Sequence, residues 1–190
     1  MCCYAIERLD VSCETIESLV FSFYNRNYMK GQDMENIDFY HSKIKRFLDE
    51  KLVEYKHEVF DMLCHTVNEA AIAINESKDN FVKNICMIDK SGNLIVTIVS
   101  GDDRSSTKRV AKALGIDRPR LANSKEILEK TGFIAGGVPS FSYDAIYLLD
   151  EKILTKEYII TGGGSEYSLI KIRVKDMLKL NSAKICRVRK

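Results

Sequence analysis

Val82-Lys-Asn-Ile-Cys-Met-Ile-Asp-Lys-Ser-Gly-Asn-Leu-Ile-Val-Thr-Ile-Val-Ser100 contains two apolar, β-branched runs joined by the turn-forming segment Lys90-Ser-Gly-Asn93. Such runs, bounded by Ser, Gly and Asn, predict two antiparallel strands over residues 82–89 and 94–100. No helical pattern separates them. The same holds further along, where predicted strands at 157–161 and 168–174 are split only by Gly162-Gly-Gly-Ser165. Strands that follow one another directly predict an α+β chain with a mixed sheet, not a doubly wound parallel one. Strand alternation puts Lys83 on one face with Ile85 and Met87, and Val82, Asn84, Cys86 and Ile88 on the other. An ammonium among apolar same-face neighbours belongs at a sheet edge or in a cleft, or is a solvated outward residue.

Working outward, the helical signals are short and well punctuated. Thr66-Val-Asn-Glu69 has the form of a capping box that opens a helix reaching Asn75. Thr107–Leu114 is a predicted helix stopped by Gly115, and Asn123 or Ser124 caps the next one, which ends at Gly132. A strand over 145–149 and a short helix over 175–180 complete this part. Before it, Ile16, Leu19, Val20 and Phe23 fall at helical spacing, as do Ile44, Phe47 and Leu48 in a helix over 41–50. A change of composition at 55–62 suggests a mainly helical N-terminal extension over 1–60, followed by the main domain over 61–190.

The bulk numbers are those of a globular protein. The chain has 190 residues, 45% hydrophobic and 29% charged, with a net charge of +2. That charge provides no overall field for nucleic acid, so any such contact rests on a local patch. No apolar run has the length of a membrane span, and the N-terminus lacks a signal peptide's pattern; a cytoplasmic protein without membrane contact is expected. The six cysteines, at 2, 3, 13, 64, 86 and 186, form no C-x-x-C pair and have no ligand-like spacing with His41, His57 or His65, so no metal is expected. No nucleophile or metalloprotease signature is present, which leaves a covalent or metal-dependent hydrolase without support.

Two glycine-rich segments stand out. Lys130-Thr-Gly-Phe-Ile-Ala-Gly-Gly-Val-Pro-Ser-Phe141 places Gly136, Gly137 and Pro139 together. Its plain reading is a tight surface turn; its functional reading is a main chain that another molecule approaches closely, with N–H groups aimed at a carbonyl or an anion. Gly162-Gly-Gly-Ser165 invites a phosphate-loop reading, but such a loop needs a helix directly behind it, and here a strand follows. Asp102-Asp103 reads as a solvated loop. Lys108, Arg109 and Lys112 form either a solvated helix face or a patch for phosphate.

Taken in order, these pieces resemble the YbaK/ProX family of aminoacyl-tRNA deacylases, freestanding relatives of the editing domain of bacterial prolyl-tRNA synthetases. The similarity runs from His65-Thr-Val-Asn-Glu-Ala-Ala71 through Val82-Lys-Asn-Ile85, Gly101-Asp102 and Lys108-Arg-Val-Ala-Lys-Ala-Leu-Gly115. It continues in Leu128-Glu-Lys-Thr-Gly-Phe-Ile-Ala-Gly-Gly-Val-Pro139, the Gly162-Gly-Gly-Ser165 turn and Asp176-Met-Leu-Lys-Leu180. The resemblance implies a compact domain with a mixed, curved sheet flanked by helices. It also implies hydrolysis of the ester between a mischarged amino acid and the terminal adenosine of tRNA, without cofactor and with help from the substrate 2′-hydroxyl.

By the same resemblance, Lys83 with Gly136 and Gly137 forms the catalytic set. His65, Thr66, Asn84, Val138, Pro139, Gly163, Gly164 and Ser165 hold the substrate. The partners implied are aminoacyl-tRNA and, in addition, an aminoacyl-tRNA synthetase; Lys108, Arg109, Lys112, Arg118, Arg120 and the tail residues Lys184, Arg187, Arg189 and Lys190 are the basic candidates for RNA. Two departures stand beside this. The family loop commonly reads Gly-x-x-x-Pro, whereas Ser140 lies four residues after Gly136 and the proline is at 139. The histidine that some members carry after the second glycine turn is missing from Glu166-Tyr-Ser-Leu169. That absence and the N-terminal extension keep open a non-catalytic module that binds aminoacyl-tRNA or amino acid.

Overall fold

Strands β2 (Val82–Ile88) and β3 (Leu94–Ser100) form the expected antiparallel hairpin, with Val82 opposite Ser100 and Ile88 opposite Leu94. The structure, a computed structural model, describes residues 32–60, 71–72 and 74–190, with side chains from Ile37 onward. The predicted helix at 16–23, the capping box at Thr66 and the site candidates His65 and Thr66 lie outside the described residues. Ile37–Lys190 form one unit.

Around the hairpin a mixed sheet is built in the order β4-β2-β3-β5-β8, where β4 is Arg120–Leu121, β5 Ile146–Leu149 and β8 Lys184–Ile185. β3 pairs parallel with β5 and β5 parallel with β8, while β4 runs antiparallel to β2. A second, antiparallel sheet has the order β1-β7-β6, with β1 Tyr55–Val59, β6 Tyr158–Gly162 and β7 Ser168–Arg173. A parallel bridge between Phe81 and Ile160 joins the two sheets.

Among the described residues the helices α1 (Gln32–Glu50), α2 (Thr107–Leu114), α3 (Ser124–Thr131) and α4 (Val174–Asn181) flank them. The boundaries read at Gly115, Asn123 and Gly132 have their caps, whereas α4 starts without a side-chain cap. Ser106 accepts from the Arg109 amide, Gly115 closes α2 in the left-handed region, and Asn123 with Glu126 forms a complete capping box on α3. None of the described helices is long and apolar enough to cross a membrane.

β2 divides the core as its alternation requires. Val82, Cys86 and Ile88 join a large cluster with Phe133, Phe141, Ile159 and Ile170, whereas Met87 joins Ile95, Val99, Val110 and Leu148 on the other face. Ile44 and Leu48 of α1 are fully buried in the first cluster. Strand β1 was not expected from the sequence. It pairs along its whole length with β7, so residues 37–60 supply both a core helix and an edge strand to this unit. The signal was weak because Tyr55-Lys-His-Glu-Val59 has only three apolar-tolerant positions, and one of them is a histidine.

Candidate active site

Asn84 fastens the first glycine loop. Its Nδ2 donates to the Val138 carbonyl and to Thr161 Oγ1, each at 2.8 Å, and its Oδ1 accepts from Ser140 Oγ at 2.8 Å. Ser140 and Thr161 are fully buried and bonded to each other at 2.8 Å. Both amide protons are thereby used, so Asn84 acts as a frame around residues 136–140 and not as an idle donor. The Ser140 hydroxyl closes this network.

The two glycine segments are one assembly. The Gly164 amide donates to the Gly137 carbonyl at 2.8 Å, and the Gly137 amide donates to Ile134 O at 3.2 Å. A β-carbon on Gly137 would collide with the Ser165 backbone, and one on Gly162 would lie 2.5 Å from Val138 O. The glycines are needed here for backbone-to-backbone contact. Gly137, Val138, Pro139, Gly163, Gly164 and Ser165 are buried, whereas Gly136 is exposed with φ +97°. Residues 162–165 form a packed turn between β6 and β7.

Lys83 is exposed on the opposite face of β2 from Asn84 and forms no ion pair among the described residues. The strand provides a route between the two faces. β2 meets β6 at the Phe81–Ile160 bridge and meets β4 only at Met87 and Ile88. Among the described residues, 83–85 have no backbone ladder partner on that edge, and the Asn84 side chain reaches across to Thr161 of β6. Lys83 and Asn84 therefore sit at an unpaired stretch of the β2 edge, with the glycine assembly fastened to Asn84.

Sequence reading missed the histidines of α1 and β1 at the second glycine turn. His41 Nε2 lies 2.8 Å from Ser165 Oγ, and its ring meets His57 edge-on with centroids 5.2 Å apart. The His57 Nε2 is buried without a partner among the described residues. Burial pushes His57 down to about 4, and neighbouring His41 acts the same way. Burial also lowers His41, against an opposing effect of Asp38. Both rings line a cleft of about 500 Å³ together with Ser42, Lys45, Tyr55 and Val59. The i, i+3 and i+4 pattern of 41–50 marked the core face of α1, but nothing local marked its histidine as a neighbour of residue 165.

Comparison with known proteins now bears on this geometry. The family model described as the aminoacyl-tRNA editing domain matches residues 61–180, more than half of the chain. The chain belongs to the aminoacyl-tRNA editing domain family. The uncharacterized protein YwhH of Bacillus subtilis (strain 168) is 25% identical over 128 residues, covering 66% of this chain and 81% of the relative. A crystal structure of a candidate trans-editing enzyme for prolyl tRNA synthetase superposes with a TM-score of 0.74 at 24% identity, over 80% of this chain and 97% of that one. The hypothetical protein APE2540 gives 0.72 at 23% identity, over 78% and 99%. At these identities the two structures establish the fold, a YbaK-like editing domain with a mixed sheet flanked by helices.

The editing domain commits part of its expected basic patch elsewhere. Arg189 pairs with the buried Asp150 and lies 3.6 Å from Glu151, Arg120 pairs with Glu126, and Arg118 Nε donates to Thr107 Oγ1. Lys184 Nζ donates to Ala113 O at 2.7 Å. Lys108 and Lys112 remain exposed on α2. On the other side of the editing domain, Lys43 of α1 caps the end of α3. Its Nζ donates to Gly132 O at 3.2 Å and sits 4.3 Å from the centre of the Phe133 ring, just before the first glycine loop.

Proposed function

We propose that this chain hydrolyses the aminoacyl ester of mischarged tRNA in trans. The observation that carries the reading is the stretch of β2 edge at residues 83–85 without a ladder partner among the described residues, where the exposed Lys83 ammonium follows one face and Asn84, pinned to the glycine assembly, the other. Ester hydrolysis builds negative charge on the former carbonyl oxygen, and a nearby cation stabilises it or holds the adjacent phosphate. In this reading Lys83 supplies that cation, exposed Gly136 meets the aminoacyl group, and Asn84, Val138 and Pro139 set the pocket wall. Gly137 and residues 163–165 serve as the frame behind it. The substrate 2′-hydroxyl assists the attacking water, which is consistent with a sequence that carries no nucleophile signature. Selection among amino acids follows from pocket size, where one methylene is worth about 1–3 kcal/mol. The relative described as a candidate trans-editing enzyme for prolyl tRNA synthetase supports a prolyl-tRNA-type substrate and a synthetase partner.

A second reading is a non-catalytic module that binds aminoacyl-tRNA or amino acid beside a synthetase. The commitment of the Gly137 and Gly164 amides to internal carbonyls favours it, because those donors are no longer aimed at a substrate. Release of amino acid from a panel of matched and mischarged tRNAs, with Lys83→Ala alongside, separates the two. Lys83-dependent release from one mischarged species establishes editing. A folded protein that releases none, and whose Lys83→Ala variant loses only affinity, is the binding module.

A further inference from the structure

We propose that His41 and His57 are positioning residues for the editing reaction, holding the 162–165 turn against the first glycine loop from the α1 and β1 side. The proposal rests on the editing reading above and assigns a task to residues outside the matched family segment. The geometry forms a chain of direct contacts. His41 Nε2 lies 2.8 Å from Ser165 Oγ, which also accepts from the Tyr167 amide at 3.2 Å and lies 3.2 Å from Ser168 Oγ. The Ser165 backbone packs on Gly137 with no room for a β-carbon. Gly164 then bonds to the Gly137 carbonyl, and the next carbonyl, that of Val138, is held by Asn84. His57 backs this contact from β1, its ring edge-on to His41 with centroids 5.2 Å apart. A displacement of either ring is thus passed to the loop at residues 136–140 through contacts that have little slack.

The chemistry of the pair suits a neutral clamp. The charged groups around it are Asp38 and Lys45 on α1 and Glu58 on β1, with Glu166 on the turn itself. The His57 Nε2, buried without a partner among the described residues, offers no acceptor to a second ring proton, so a charged His57 would be left unpaired in a half-buried site.

The test uses the full chain and the mischarged tRNA it hydrolyses fastest. His41→Ala should lower kcat about tenfold, the worth of one well-placed hydrogen bond, with KM changed by less than about threefold. His41→Gln, which keeps a polar atom near the Nε2 position, should recover most of the rate. A His41→Ala rate within about twofold of the parent, or a loss that Gln does not relieve, overturns the proposal. Amide exchange at Gly164 gives a readout independent of catalysis: it should accelerate at least about tenfold in His41→Ala while exchange in β3 is unchanged. Unchanged Gly164 exchange overturns the proposal even where the parent edits. If the parent releases no amino acid, the editing reading fails and the exchange result alone decides whether the histidines hold the turn.

Discussion

The amide of Gly164 donates to the carbonyl of Gly137 across 2.8 Å, joining two loops that are 27 residues apart in sequence (164 − 137). Every substitution that separates these two residues should act on both loops together, and this sets the first expectation.

Gly137→Ala places a methyl group into the Ser165 backbone, which is not the end of a flexible side chain. The cost should be about 1–3 kcal/mol, or more if the turn is displaced. Thermal unfolding should show a fall of roughly 2–4 °C for each kcal/mol. An unchanged melting temperature would show that the two loops are not in contact.

Asn84→Ala leaves Ser140, Thr161 and the Val138 carbonyl without their shared partner. Ser140 and Thr161 keep each other, but the Val138 carbonyl loses its donor, and a buried group left unpaired costs about 1–3 kcal/mol. Denaturant titration should register that loss, and deacylation should fall even at temperatures where the variant is fully folded. Wild-type turnover in the folded variant would remove Asn84 from the pocket wall.

The pH dependence of stability follows from His57, whose folded value of about 4 lies below the ordinary 6.5. Between these values the unfolded chain binds a proton that the folded chain does not. Stability therefore rises with pH across this window, is fully present above about 6.5, and is lost as pH falls toward 4. His57→Gln should flatten that part of the curve. An NMR titration that finds His57 at or above 6.5 would contradict the buried, neutral assignment.

Asp150 is 1% exposed and accepts from the amides of Lys152, Val188 and Arg189 and from the Arg189 guanidinium. Burial alone would raise its carboxyl, but the hydrogen bonds from Arg189, Lys152 and Val188 outweigh it and hold the group below the usual aspartate range. Its stabilisation is present above the unfolded value and is lost as pH falls through the folded one. Asp150→Ala should cost roughly 3 kcal/mol, near the low end for a broken buried pair because Arg189 keeps some solvent contact. Limited proteolysis should then release residues 184–190 first.

Lys108 and Lys112 are the exposed cations of α2, so Lys108→Glu with Lys112→Glu should weaken tRNA binding and flatten its salt dependence. A salt slope equal to that of the parent would place the RNA elsewhere on the surface.

The parts of the fold that were legible in the sequence are those governed by local chemistry. Gly115 and Gly132 ended their helices, Asn123 capped α3, and the alternation of β2 correctly separated Lys83 from Asn84. What escaped was non-local. β4 and β8 are two residues long and exist only through their partners. β1 carries Lys, His and Glu in a row because it is an edge strand, where polar side chains are tolerated. The site followed the same division. The glycine loops and Asn84 could be read from their own segments, whereas His41 reaches Ser165 across 124 positions (165 − 41) and only the folded chain reveals it.

Edge strand β1 has a further consequence for what counts as a heritable piece of this protein. The stretch shared with the family runs over 61–180, yet β7 has β1 as its outer neighbour, and Ile44, Leu48 and Val188 lie in the interior with no exposed surface. A polypeptide trimmed to the shared stretch would present the raw margin of a sheet to solvent and lose three interior side chains, inviting another strand to dock there. The segment matched by the family model is thus shorter than the packed unit Ile37–Lys190 that buries these side chains.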